Sequence, residues 1–313
     1  MENIIFFLKS TATIMIPIFY AALGGLFTAL AGILNIALEG MILMGAFSSL
    51  AVFYFTGNYL LAITCAIFST TALAALHAFS IFRLRANIFI TGLAINLLSS
   101  GICAVFSEKL FDTKGVVSVP LPQDPLGVTP TMNSGTGYSY GQSCQINTEY
   151  SNNFTGETSA LLTLFIIFGL FLLIIIWLAI YKTPFGYRLR ACEKNSDALV
   201  SLGINPTFYK TAALIFSGIL CGIGGSFLSL NLAAYVPGMS SGKGWIALAV
   251  IFLGAKKPLG IPAAAFIFAL AESFSNYAQG FWSIPADFIL IFPYVFTLIA
   301  IIGVSIVPKK TGL

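Results

Sequence analysis

Charge is what this chain has least of. Only 8% of its 313 residues are Asp, Glu, Lys or Arg, against about 25% in an ordinary soluble domain, which excludes a molecule kept in solution by a charged surface. Histidine occurs once, at His77 inside an apolar run. One imidazole makes no metal site by itself, and an intramembrane enzyme would need a nucleophile with a base or clustered His and carboxylates. The bland reading of His77, a packed or interface histidine, is favoured. The five cysteines, Cys65, Cys103, Cys144, Cys192 and Cys221, form no CxxC pair, and four lie in or beside apolar runs, where a free thiol behaves as a small hydrophobe. No basic run is long enough to track phosphates, so the net charge of +4 speaks about orientation in a membrane and not about nucleic acid. A P-loop is missing too. The nearest pattern, GMSSGKGW at Gly238 to Trp245, is one residue short, with Gly244 where Ser or Thr is required.

What fills the chain instead is apolar: 58% hydrophobic residues and a mean hydropathy of +0.94. Runs near the spanning length of about 20 residues lie at Thr13 to Ile33, Leu38 to Phe55, Tyr59 to Phe82, Ile88 to Leu110, Ser159 to Tyr181, Thr207 to Leu230, Pro258 to Tyr277 and Pro285 to Val307. A ninth, Trp245 to Ala255, is too short to span and reads as a broken or re-entrant segment buried in protein. The first run lacks a cleavage site followed by a polar mature region, so it is not read as a signal peptide. These features predict an all-α, polytopic integral membrane protein with about eight to ten transmembrane helices, one or more of them broken or re-entrant, forming a single domain over 1–313.

Two polar segments interrupt the pattern. Residues 111–158 turn to Gly, Ser, Thr, Asn and Pro with an acidic lean, and read as a long, partly ordered extracytoplasmic loop. Residues 182–206 carry Lys182, Arg188, Arg190 and Lys194 and face the cytoplasm by the positive-inside rule. Arg83 and Arg85, Lys256 and Lys257, and Lys309 and Lys310 fall on the same side if each intervening run crosses once. Nine crossings would put Met1 outside, whereas Lys9 and a broken helix near Asn35 would allow it inside. Within the second segment, NSDALVSLGINP has Asn195 or Ser196 as N-cap, Asp197 in the first turn, Gly203 as a left-handed stop and then Pro206. This predicts a helix of about two turns with an apolar face of Ala198, Leu199 and Leu202, held by packing on the membrane domain or on a partner because it is too short to stand alone. Gly218, Gly222 and Gly225 mark a helix that lets a neighbour approach closely.

TPFGYRLRACEKNSDALVSLGIN, Thr183 to Asn205, resembles the cytoplasmic motif of permease subunits of ABC importers for ribose-type sugars, branched-chain amino acids and nucleosides. LNIALEGMILMGAF, GWIALAVIFLGAKKPLG and FPYVFTLIAII resemble the nucleoside branch in particular. The resemblance covers nearly the whole chain, with the long loop departing from it. It implies half of a translocation pore in a bacterial cytoplasmic (inner) membrane, a coupling helix seated on an ATPase subunit, a second homologous permease, and an extracytoplasmic substrate-binding lipoprotein. Arg188, Arg190, Glu193, Asn195 and Asp197 would then lie at the ATPase interface. No cofactor would belong to this chain, and ATP with Mg²⁺ would bind in the partner ATPases. Permeases for riboflavin or simple sugars, or an ion-coupled secondary transporter using an intramembrane carboxylate, are the alternatives.

Glu39 stands in the otherwise apolar LNIALEGMILMGAF, where a charge at the bilayer centre costs about 2.5–3.5 kcal/mol on insertion scales. Standing four residues after Asn35, it would share one face with it on a continuous helix. It could hydrogen-bond the backbone of a broken helix, face the pathway and take a donor from the substrate, or sit at the water interface. Asn87, Asn96, Ser99, Ser100, Asn231, Glu272, Ser273 and Asn276 are the other polar groups in apolar runs. Asn35, Glu39, Asn96 and Glu272 are the candidate pathway residues, with interhelical hydrogen bonding as the alternative for Asn96 and Glu272.

Overall fold

A computed structural model describes residues 2–119 and 148–279, with side chains described over 7–119 and 161–276. The helices are α1 (Glu2–Leu30), α2 (Leu38–Thr56), α3 (Tyr59–Phe82), α4 (Ile88–Phe111), α5 (Thr148–Lys182), α6 (Pro184–Lys194), α7 (Ser196–Ser201), α8 (Pro206–Leu232), α9 (Lys243–Leu253) and α10 (Gly260–Gln279). A two-residue pair, β1 (Val117–Ser118) and β2 (Ala234–Tyr235), joins antiparallel. Among the described residues six helices are long and apolar enough to cross a membrane, and Lys243–Leu253 is a shorter apolar one. The predicted all-α polytopic fold is the observed one. The run at 285–307, with Lys309 and Lys310, lies outside the described residues.

The helix boundaries follow local chemistry. Asn58, Asn87 and Asn205 each cap a helix, accepting from Leu60 N, Phe89 N and Thr207 N at 2.9, 2.9 and 3.0 Å, which satisfies donors that the first turn leaves free. Asn87, which the sequence alone leaves among the intramembrane polar groups, is therefore punctuation. Helix α5 begins at Thr148, so its backbone extends through residues that read as loop by composition.

The bundle is organised around α8. Gly24 of α1 lies against Ser217, and Gly224 against Tyr20 and Pro17, so α1 and α8 are antiparallel. Gly218 faces Ala74 and Thr70 while Gly222 faces Ile67, so α3 is antiparallel to α8 as well. Helix α2 runs with α8, through Gly45 beside Gly222 and Ser49 bonded to Ser229 at 2.8 Å. The glycines are a requirement of this packing: a Cβ on Gly222 would lie 2.9 Å from Ile67 Cα, and one on Gly225 2.9 Å from Ala46 N. Lipid tails are as apolar as Leu, so close backbone approach is what holds such helices together. The packing role read from Gly218, Gly222 and Gly225 is what the structure shows.

Large apolar side chains such as Leu60, Phe68, Leu97, Ile167 and Phe171 point outward from α3, α4 and α5, as a surface facing lipid requires. The antiparallel pairing places the start of α1 at the end of the bundle opposite α6 and α7. The same pairings put Arg83, Arg85 and Lys256 at the α6–α7 end, hereafter the basic end, in agreement with the charge count.

Candidate functional site

Two of the membrane crossings are interrupted, and their breaks meet. After α1 the chain turns at Gly32, whose φ of 78° favours glycine, and rises without helix to α2, which starts about level with the middle of α8. From the far end, beyond β2, residues 236–242 descend without helix to α9, which runs on toward the basic end. Non-helical backbone at membrane depth must have its polar groups satisfied by protein, and the polar residues singled out in the sequence do this.

Asn35 Oδ1 accepts from Ala37 N at 3.1 Å while its Nδ2 donates to Ser217 Oγ at 2.9 Å. Asn96, from α4, accepts from Gly40 N at 2.8 Å and donates to Ile36 O at 3.0 Å, splinting the start of α2, where Ala37 offers no side-chain cap. Glu39 spans the two breaks: its Oε1 accepts from Gly242 N at 2.8 Å and its Oε2 from Gly244 N at 2.7 Å. The carboxylate sits in the first turn of α2 and on the first turn of α9. Each helix N-terminus carries about half a positive charge, so one anion serves both. The GMSSGKGW segment is thus an anion-binding turn filled by the protein's own carboxylate. Of the roles open to Glu39, bonding to the backbone of a broken helix describes the observed geometry. Gly244 leaves room for it, since a Cβ there would lie 2.5 Å from Glu39 Cα.

Lys243, the first residue of α9, is 8% exposed and pairs with Glu272 of α10 at 3.4 Å. A cation at a helix N-terminus opposes the dipole, and Glu272 offsets it. Its other oxygen, Oε2, is buried without a hydrogen-bond partner, as is Ser273 Oγ. Counting two half-charges for the N-termini, Lys243, Glu39 and Glu272, the cluster comes close to neutral. In the sequence Lys243 stands out only as the lysine of an incomplete P-loop pattern. The missed signal was a lysine at the edge of an apolar run, with a carboxylate one apolar run away to pair with it.

At the basic end, α6 and α7 lie as two short helices across the bundle. The capped helix read from NSDALVSLGINP is α7: Asn195 Oδ1 accepts from Ala198 N at 3.1 Å, and Gly203 has φ of 73°. Helix α6 was not anticipated, although Thr183 followed by Pro184 is its N-cap and first residue, with Thr183 Oγ1 accepting from Gly186 N at 3.3 Å. Leu189, Cys192 and Leu199 are buried and anchor the pair. Leu199 therefore faces the membrane domain and leaves Val200 and Leu202 outward, 60% and 74% exposed.

Among the residues implied in coupling, Arg188 donates to Tyr209 Oη at 2.8 Å. Arg190 lies over the Tyr181 and Tyr187 rings at 4.9 and 5.0 Å, Asn195 caps α7, and Glu193 pairs with Lys256 just beyond α9. Asp197 is exposed in the first turn of α7. Burial pushes the Cys192 thiol up from its ordinary value, with Lys210 acting in the opposite sense. His77 is fully buried in α3 with neither ring nitrogen hydrogen-bonded. Among the described residues no group of His, Cys, Asp and Glu could hold a metal ion.

Comparison with known proteins places this geometry in context. The family described as branched-chain amino acid transport system / permease component matches residues 7–302. The nucleoside ABC transporter permease protein NupC of Lactococcus lactis subsp. cremoris is 28% identical over 309 residues, covering 95% of this chain and 92% of that protein. The guanosine ABC transporter permease protein NupQ of Bacillus subtilis is 28% identical with the same coverage. NupP, a guanosine ABC transporter permease protein from Bacillus subtilis, is 24% identical over 266 residues, 83% of this chain and 71% of its own length.

Proposed function

We infer the function from one premise: the chain belongs to the branched-chain amino acid transport system / permease component family, and it serves as one permease subunit of an ABC importer for a nucleoside-type substrate. The cargo class follows from the likeness to NupC and NupQ, a nucleoside and a guanosine ABC transporter permease protein. ATP hydrolysis belongs to separate ATPase subunits seated on the α6–α7 pair. The observation that carries the coupling part is the outward face of α7. Val200 and Leu202 stand exposed there beside Asp197, on a helix held in place by Leu199. An apolar tip on a rigid mount at the water-facing end is what a groove on a partner protein takes hold of. A second homologous permease completes the pore, and an extracytoplasmic lipoprotein delivers the cargo.

Asn35, Glu39 and Asn96 shape the pathway by holding its two interrupted crossings in register. Glu272, with an unpartnered oxygen, is the residue of this set with acceptor capacity left for a substrate donor. The pathway binds weakly, because capture belongs to the delivery protein and the pore must release what it carries. The test is uptake into proteoliposomes containing the co-expressed permeases, ATPase and delivery lipoprotein, with guanosine, riboflavin and ribose compared. ATP-dependent guanosine uptake supports the reading. Uptake of riboflavin or ribose alone reassigns the cargo while keeping the transport class.

A further inference from the structure

In an importer, movement at α6 and α7 must reach the interrupted crossings about half a membrane away. We propose that α9 is the rigid rod that carries it, and that the ion pair between Lys256 and Glu193 is the link by which α6 moves that rod. The inference rests on the importer reading.

Three observations bear on it. First, α9 is a single short helix of eleven residues, about 16 Å at 1.5 Å per residue, so it spans the inner half of the membrane and no more. Second, left-handed backbone bounds it at both ends. Ser241 and Gly242 precede it with φ of 45° and 81°, and Ala255 and Lys256 follow it with φ of 54° and 53°. Left-handed backbone at non-glycine residues persists only where the surroundings hold it, and it gathers at switch regions. Third, each end is tied to a different functional element. At its mid-membrane end Glu39 bonds Gly242 and Gly244 while Lys243 meets Glu272. At the basic end Lys256 Nζ donates to Glu193 Oε1 of α6. Glu193 also backs the turn after α1, its Cα lying 3.1 Å from where a Cβ on Gly32 would stand. A displacement of α6 is therefore delivered to the exit of α1 and to the foot of α9 by the same residue.

The Lys256 and Glu193 side chains are each about one third exposed. Exposed pairs contribute little to stability, so breaking this one leaves a folded protein, which separates transmission from a merely structural role.

The experiment uses the complete importer, with its permeases, ATPase and delivery protein, in proteoliposomes with guanosine as cargo. Glu193→Lys and Lys256→Glu are made singly and together. Guanosine uptake per ATP hydrolysed is measured, with maleimide labelling of a Ser241→Cys reporter in the presence and absence of ADP-vanadate. Lys256→Glu, which lies outside the set implied at the ATPase interface, is expected to keep ATP hydrolysis and assembly, and each single variant is expected to lose about tenfold in uptake per ATP, within the range for coupling between sites. Each also loses the nucleotide-dependent change in Ser241→Cys labelling, and the exchanged pair recovers both. Single variants that import normally, or an exchanged pair that fails to recover, overturn the rod while leaving the importer reading intact. An unmodified assembly that neither hydrolyses ATP nor imports guanosine overturns both.

Discussion

Replacing Glu39 by Gln is the sharpest perturbation of the interrupted crossings, because it keeps shape and changes only charge and donor pattern. The carboxylate accepts two backbone hydrogen bonds, from Gly242 N at 2.8 Å and Gly244 N at 2.7 Å. An amide offers one oxygen and one NH₂, so one bond survives as a neutral one and the other becomes a donor facing a donor. Losing the charge assistance of the first costs about 1 kcal/mol, and leaving a half-buried N–H unpaired costs about 1–3 kcal/mol. The dipoles of α2 and α9 lose their shared anion, adding about 1 kcal/mol. Together these predict about 3–5 kcal/mol, read as a lower midpoint and lower free energy of unfolding in detergent titrated with denaturant. An unfolding free energy within about 0.5 kcal/mol of the parent, the scatter of an ordinary surface substitution, would refute the claim that Glu39 holds the two helix starts together.

Lys243→Met or Glu272→Gln alone disturbs a buried ion pair, and Lys243→Met, which strands a charge, should destabilise by about 3–5 kcal/mol, whereas the Lys243→Met/Glu272→Met pair should recover most of that loss in the same unfolding titration. Gly222→Leu places bulk within 2.9 Å of the Ile67 backbone and should abolish a stable bundle, seen as aggregation in size-exclusion chromatography. A Leu at exposed Gly101, which has nothing within 4 Å, should leave the elution profile unchanged. The raised Cys192 thiol holds less thiolate at neutral pH than a free cysteine, so maleimide should label it slowly at pH 7 and faster as the pH rises through its folded value. Labelling at the free-cysteine rate at pH 7 would contradict the observed burial.

The crossings were legible because spanning helices need apolar runs of a set length, and the glycines of α8 because close packing in lipid needs small residues. The eleven-residue run that became α9 was legible for the opposite reason, being too short to span. Helix α7 could be read from its caps alone. Helix α6 has its start signal in Thr183 and Pro184, but its charged residues read equally well as markers of a cytoplasmic loop. The partnership of Glu39 with residues some two hundred positions away lay beyond any local reading. Nothing in a helical period says that Gly242 and Gly244 present their N–H groups to it. The same holds for Lys256 with Glu193, where each charge was counted for its side of the membrane and not for its partner.

The most direct test of the central claim, a pore half driven by separate ATPase subunits, is to purify the tagged chain gently from its own membranes, identify what accompanies it, and measure guanosine uptake by the reconstituted assembly with and without ATP. The account predicts co-purification of an ATPase with a Walker motif and a second permease of similar hydropathy, and uptake that stops when ATP is withheld. A chain recovered alone that transports on an ion gradient without ATP would contradict it.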